Sequence, residues 1–250
     1  SSLPVIPELN TGILFPIPIR IEQLVLDNIA LQLPNQQLTW QHFSIGIVAW
    51  GNRLQLSEGR WHNIKLSLTP NEQVTEPLTA YVPPQLPEIT LPLSIYLDDF
   101  QVSDFAFEQA QLQEQLTKLT LSAQLTPRQI RILDATAIHT FGRLQLAANM
   151  ILQQNYPLSV QADAQLLAGE FTGQRVQLQL SGDLAQLQAD IHSSGPVNAE
   201  LTAELALLTA DLPMQLSLRS EQLQWPLTEP QYQLQHTTLA VNGALSKLNI

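Results

Sequence analysis

The side chains that could do chemistry are few. Five histidines, His42, His62, His139, His192 and His236, fall singly along the chain, and the nearest things to paired carboxylates are Asp98 with Asp99 and Asp183 with Asp190. Metal-dependent hydrolysis would need histidines at ligand spacing, as in HExxH, and no such spacing occurs; a lone strand histidine is ordinarily a hydrogen-bonded structural residue. General acid–base work would need two carboxylates on one face. Neighbouring strand residues point to opposite faces, so Asp98 and Asp99 do not converge on a substrate, and turn or solvated roles suit them better. There is no GxSxG, P-loop or GxGxxG motif, and the absence of cysteine removes thiol catalysis, cysteine zinc sites and disulfides. The chain therefore reads as non-enzymatic, with no catalytic residue, metal site or cofactor. Trp40, Trp50, Trp61 and Trp225 are expected at strand ends, wedging hairpins into a core, rather than forming a sugar-stacking platform.

Composition narrows the setting. Of the 250 residues 13% are charged, about half the roughly 25% usual for soluble domains. With 44% apolar residues and a mean hydropathy of +0.01, uncharged polar side chains, chiefly glutamine, make up the difference. Eleven scattered basic residues against 22 acidic ones give a net charge of −11, which speaks against nucleic-acid binding and against electrostatic docking on anionic lipid. No run approaches the roughly 18 apolar residues of a membrane span; Gly12 to Ile21 is short and broken by Pro16 and Pro18. The start at Ser1, without a signal-peptide n-region, reads as a piece of something longer.

The elements that must position any functional surface are strands. From Leu158 to Leu166 the apolar residues Leu158, Val160, Ala162, Ala164 and Leu166 alternate with polar ones, and the pattern returns in Val176, Leu178 and Leu180, in Val197 to Leu207, and in Leu212 to Leu218. Turn signals separate them at Gly169 and Gly173, Ser181-Gly182-Asp183, Ser194-Gly195-Pro196 and Pro226 to Pro230. Spacing this short leaves no room for crossover helices, so the second half reads as a mostly antiparallel β-meander.

The first half carries an internal repeat. Pro16 to Leu31 (PIPIRIEQLVLDNIAL) matches Pro92 to Phe107 (PLSIYLDDFQVSDFAF) in apolar class at an offset of 76, and the offset continues through Phe43 and Ile45 to Leu54 and Leu56. Both copies switch apolar parity twice, at Gln23 or Asp99 and at Asp27-Asn28 or Ser103-Asp104, which calls for a bulge or tight turn there. Gly182 to Leu187 is echoed weakly by Gly243 to Leu248. The expected organisation is a first β-repeat over 1–69, a proline-rich linker over 70–91, and a second repeat over 92–250 that runs on into the meander. Only Glu108 to Lys118 has the propensity of a helix, and its counterpart around Pro34 to His42 does not.

A sheet with one apolar face and no helices must cover that face as a two-layer sandwich, a closed barrel or a trough folded over on itself. At about 25 cal/mol per Å², a wet aliphatic stripe along ten strands would cost tens of kcal/mol unless something apolar lies on it. The residues expected to line such a trough are Leu158, Val160, Val176, Leu178, Leu180, Val197, Leu201, Leu205, Leu216 and Leu218; in a sandwich the same residues would be a dry core.

The runs LPEITLPLSIYLDDF (Leu86 to Phe100), NYPLSVQADAQL with GQRVQLQLSGDL (Asn155 to Leu184), SGPVNAELTAELAL (Ser194 to Leu207) and LPMQLSLRSEQLQWPL (Leu212 to Leu227) resemble, in this order, the N-terminal part of the TamB family of diderm bacteria. The resemblance implies a β-taco, a long U-folded sheet with an apolar interior, as in the AsmA-like group. It implies a periplasmic segment that follows an inner-membrane anchor absent here and precedes a C-terminal region that meets the outer-membrane barrel TamA. The implied function is passage of phospholipid acyl chains toward the outer membrane together with support of outer-membrane protein assembly. The alternative is a scaffold that templates outer-membrane β-barrel proteins, autotransporters among them, by β-augmentation without carrying lipid.

Overall fold

The computed structural model describes residues 12–68, 81–110, 112–225, 231–244 and 247–249. Its regular structure is entirely β. Fourteen strands form one sheet in chain order: β1 (Phe15–Leu33), β2 (Gln36–Gly51), β3 (Arg53–Leu68), β4 (Ser94–Gln109), β5 (Leu112–Thr126), β6 (Gln129–His139), β7 (Gly142–Ile151), β8 (Leu158–Leu166), β9 (Arg175–Gly182), β10 (Leu187–Ser194), β11 (Asn198–Leu205), β12 (Met214–Trp225), β13 (Tyr232–Ala244) and β14 (Lys247–Asn249). The alternation predicts such a run of paired strands, and the resemblance predicts their elongated, trough-like arrangement. The turn expected at Pro226 to Pro230 lies outside the described residues.

All neighbours pair antiparallel except β3 and β4, which run parallel at a constant offset of 41 from Arg53–Ser94 to Leu68–Gln109. A parallel pair cannot be closed by a hairpin, and the connection over 69–93 is long enough for the crossover it needs. Polar links cross this junction. Lys65 Nζ lies 2.9 Å from Glu108, Gln55 donates to Asp98 at 3.3 Å, Arg60 pairs with Asp99, and the Arg53 guanidinium sits 4.3 Å from the Tyr96 ring centre. The stretch Glu108 to Lys118, helical by propensity, is instead the β4–β5 hairpin, with Ala110 at φ 52° in its turn. Strand pairing to β3 and β6 on either side outweighs an intrinsic preference worth tenths of a kcal/mol per residue.

Of the expected parity switches, the first in each copy is a bulge, and the second is a single left-handed residue, Asn28 or Asp104, with the pairing register unbroken. Register shifts fall between Ile21 and Leu24 and between Leu97 and Phe100, and Asn28, Asp99 and Asp104 have φ near 50–56°. Asn and Asp enter this left-handed region at the least cost among non-glycine residues. Glu58 and Asn63 on β3 also have φ near 51–52°, and each stands 41 positions before Asp99 and Asp104, the spacing of the parallel pair. The kinks therefore line up from strand to strand. Aligned bulges bend the sheet along a crease, so local backbone chemistry curves the long strands into a trough.

Candidate functional site

Nothing in the described residues gathers chemistry at one point. His42 Nδ1 lies 2.6 Å from Asp27, His62 meets Ser103, His139 lies 3.3 Å from Glu114 and His192 3.4 Å from Glu200. Each is a cross-strand partner of an exposed or half-buried group, and His236 is exposed on β13. Asp98 and Asp99 take different partners, Gln55 and Arg60. Asp183 accepts from the amides of Ala185 and Gln186 at 2.8 and 2.9 Å and so caps the β9–β10 turn.

What the strands do assemble is an apolar face. Directly opposed residues form a row from β1 to β13: Ile21, Ile47, Leu56, Leu97, Ala123, Ile132, Ala148, Val160, Leu180, Ala189, Ala203, Leu216 and Val241. Beside it runs Ile19, Ala49, Leu54, Ile95, Leu125, Ile130, Met150, Leu158, Gly182, Leu187, Leu205, Met214 and Gly243. A third row, from Phe100 on β4 through Leu121, Ala135, Leu146, Ala162, Leu178, Ile191, Leu201 and Leu218 to Leu239, holds the other side. No polar side chain interrupts these three rows. Thirteen strands about 4.8 Å apart make the apolar band roughly 58 Å long, close to twice the ~30 Å hydrocarbon core of a bilayer.

Nine of the ten expected lining residues stand on this face: Val160, Leu180 and Leu216 in the first row, Leu158 and Leu205 in the second, Leu178, Leu201 and Leu218 in the third, and Val176 opposite Ala164 and Ser193 one position further out. Val197 is different. It precedes β11 in a turn held by the buried Gln174, whose Nε2 donates to Val197 O at 2.8 Å and whose Oε1 accepts from Val197 N at 2.8 Å. The alternation thus runs on from β11 into the turn before it, where the buried Gln174 amide takes the place of a strand partner. The members from the first half, such as Ile47, Leu56 and Leu97, were not singled out from sequence; their apolar classes repeat at the 76 offset, but the bulges break the simple alternation that marks the second half.

Trp40 and Trp61 also belong to this face, inside β2 and β3 and not at strand ends. They pack edge to face at 5.6 Å, and Phe43 packs on Trp61 at 5.8 Å. Trp50, next to the last residue of β2, does sit at a strand end, 38% exposed on the polar face. Trp61 Nε1 is buried without a hydrogen-bond partner and lies among these rings.

Among the described residues no second sheet and no helix covers the face. Of the described residues, no large side chain is completely buried; the buried apolar residues on the face are mostly small or flanked by longer ones, as with Ala49, Ala123, Ala189 and Ala203, while the ten expected lining residues are all half-buried. If some twenty aliphatic side chains each leave a few tens of Å² wet, the cost at about 25 cal/mol per Å² exceeds ~10 kcal/mol, as large as the whole stability of an ordinary domain. The arrangement is therefore chemically suited to hold something long and apolar. A family model described as TamB, N-terminal domain, matches residues 6–250 of the chain. No solved structure matches it.

Proposed function

The chain belongs to the TamB N-terminal domain family, and from that premise we propose that this segment of an envelope protein is a non-enzymatic conduit in which phospholipid acyl chains lie along the apolar face while head groups stay at the open seam. The observation that carries the reading is the uninterrupted row from Ile21 to Val241, whose larger side chains are partly exposed, without a second layer among the described residues. A sandwich core would bury such a row. The setting that goes with this function is the periplasm, with an inner-membrane anchor before the segment and TamA met through a later region.

Leu201→Asp and Leu178→Arg test it. Each puts a charge mid-row, where an unpaired ion costs several kcal/mol against hydrocarbon. In the full-length protein these variants are expected to accumulate normally and to stop lipid transfer between membranes. Normal transfer with normal accumulation would overturn the conduit, and loss of the protein would mark these residues as sealed core.

A second reading rests on a separate observation. β1 is a 19-residue edge strand with Ile19, Ile21, Val25, Leu26, Leu31 and Leu33 exposed, the kind of edge that accepts an added strand. A photo-crosslinker at Val25 that captures outer-membrane client proteins, with no lipid captured at Leu201, would favour the scaffold.

A further inference from the structure

The strand ends form two rims. One carries the turns β2–β3, β5–β6, β7–β8, β9–β10 and β11–β12; the other carries β1–β2, β4–β5, β6–β7, β8–β9 and β10–β11. The extended segment Tyr81–Leu91 runs along the first. Tyr81 donates through its hydroxyl to Leu207 O in the β11–β12 turn, 126 residues away in sequence. Pro87 O accepts from the Tyr156 hydroxyl in the β7–β8 turn, and Leu91 N donates to Pro127 O at 2.9 Å in the β5–β6 turn. Pro92 O then accepts from Ile13 N at 2.8 Å beside the start of β1.

These anchors occur in sheet order, and the distances agree. Ten residues of polyproline-like chain reach about 31 Å, and the six strand spacings from the β5–β6 turn to the β11–β12 turn span about 29 Å. The segment is therefore taut. Pro83, Pro84 and Pro87 suit it, since they fix φ and lower the entropy lost on straightening. Leu152 and Tyr156, in the turn to which Pro87 is tied, are among the few buried apolar residues, at 4% and 8% exposure.

The other rim has no such segment among the described residues. It leaves Leu33, Leu112, Phe141, Leu167 and Leu234 exposed from β1 to β13, and the strapped rim is no less apolar, with Trp50 and Ile151 at its turns and Val82 and Ile89 on the segment itself also exposed; what distinguishes the rims is the segment, not their greasiness.

We propose that Tyr81–Leu91 is a strap that seals one rim of the trough, so that acyl chains enter and leave over the opposite, unstrapped rim. The proposal rests on the conduit reading. It adds a side to the groove: head groups face solvent along the β4–β5, β6–β7 and β8–β9 turns and are kept off the strapped turns.

The test uses the full-length protein in cells, with a photo-crosslinking amino acid placed in turn at Leu178 on the apolar face, at Leu167 on the open rim and at Leu184 on the strapped rim, and lipid adducts measured by mass spectrometry. Adducts at Leu178 and Leu167 with none at Leu184 are expected. Equal adducts at Leu184 and Leu167 overturn the strap while leaving the conduit standing, whereas no adduct at Leu178 removes the conduit and the strap's role with it. The strap is then slackened in two ways, by Tyr81→Phe with Tyr156→Phe and by an inserted Gly-Ser run after Gln85. Loss of the two hydroxyl bonds is expected to raise the Leu184 adduct by about tenfold or more. No rise with either change overturns the proposal.

Discussion

Gly59 sits under the Phe100 ring across the parallel junction, where a Cβ would come within 2.2 Å of Cδ2. No side chain fits without displacing that ring, and Phe100 heads the third apolar row. Gly59→Val is expected to destabilise the protein by about 1–3 kcal/mol through overpacking, read as a lower urea midpoint; an unchanged midpoint would mean that the ring turns aside freely. The crease residues work through the backbone. Asn28, Asn63, Asp99 and Asp104 occupy left-handed φ values that β-branched residues enter only at about 1–2 kcal/mol. That chemistry was legible in the sequence at Asp27-Asn28 and Ser103-Asp104, where the apolar parity changes. Glu58 was not singled out, because the parity change between Leu56 and Trp61 passes through Gly59, which has no side chain to mark the face.

At the scale of the element, the 76-residue offset governs pairing as well as composition. Ile21–Ile47 and Leu97–Ala123, Leu24–Ile45 and Phe100–Leu121, Ile29–Trp40 and Phe105–Leu116 are the same cross-strand pairs one repeat apart. The later echo behaves likewise, with Gly182 opposite Leu187 and Gly243 opposite Leu248. We propose that the chain divides as the repeat suggests, one copy on each side of the proline-rich connection. Exposed β1 is the element most open to wrong pairing, and Pro16 and Pro18, lacking amide donors, can be accommodated there because it is an edge. Pro16→Val with Pro18→Val is expected to increase self-association, seen as a higher weight-average mass in sedimentation; an unchanged mass would show that the charges at Arg20 and Glu22 suffice to protect the edge.

Across the whole molecule, stability and the proposed function compete for one surface. A single sheet that leaves its apolar face half-open forgoes the burial on which ordinary domains depend, so an apolar occupant stabilises it by mass action. Native mass spectrometry of the purified segment is expected to show co-purified phospholipid, and delipidation is expected to lower the thermal midpoint. A lipid-free protein whose midpoint does not move on adding lipid would contradict that coupling. The amino-acid order by itself determined the all-β class, the strands of the second half, the places where the pleat turns over and most of the apolar face of that half, because each follows from the two-residue period of a pleated strand and the backbone tolerance of Asn, Asp and Gly. Tertiary structure alone decided that β3 and β4 run parallel, that Gln174 holds Val197 in a turn, and that Tyr81 reaches Leu207. Those facts depend on contacts between residues tens to more than a hundred positions apart, and a local pattern carries no information about which distant turn will supply a hydrogen-bond acceptor.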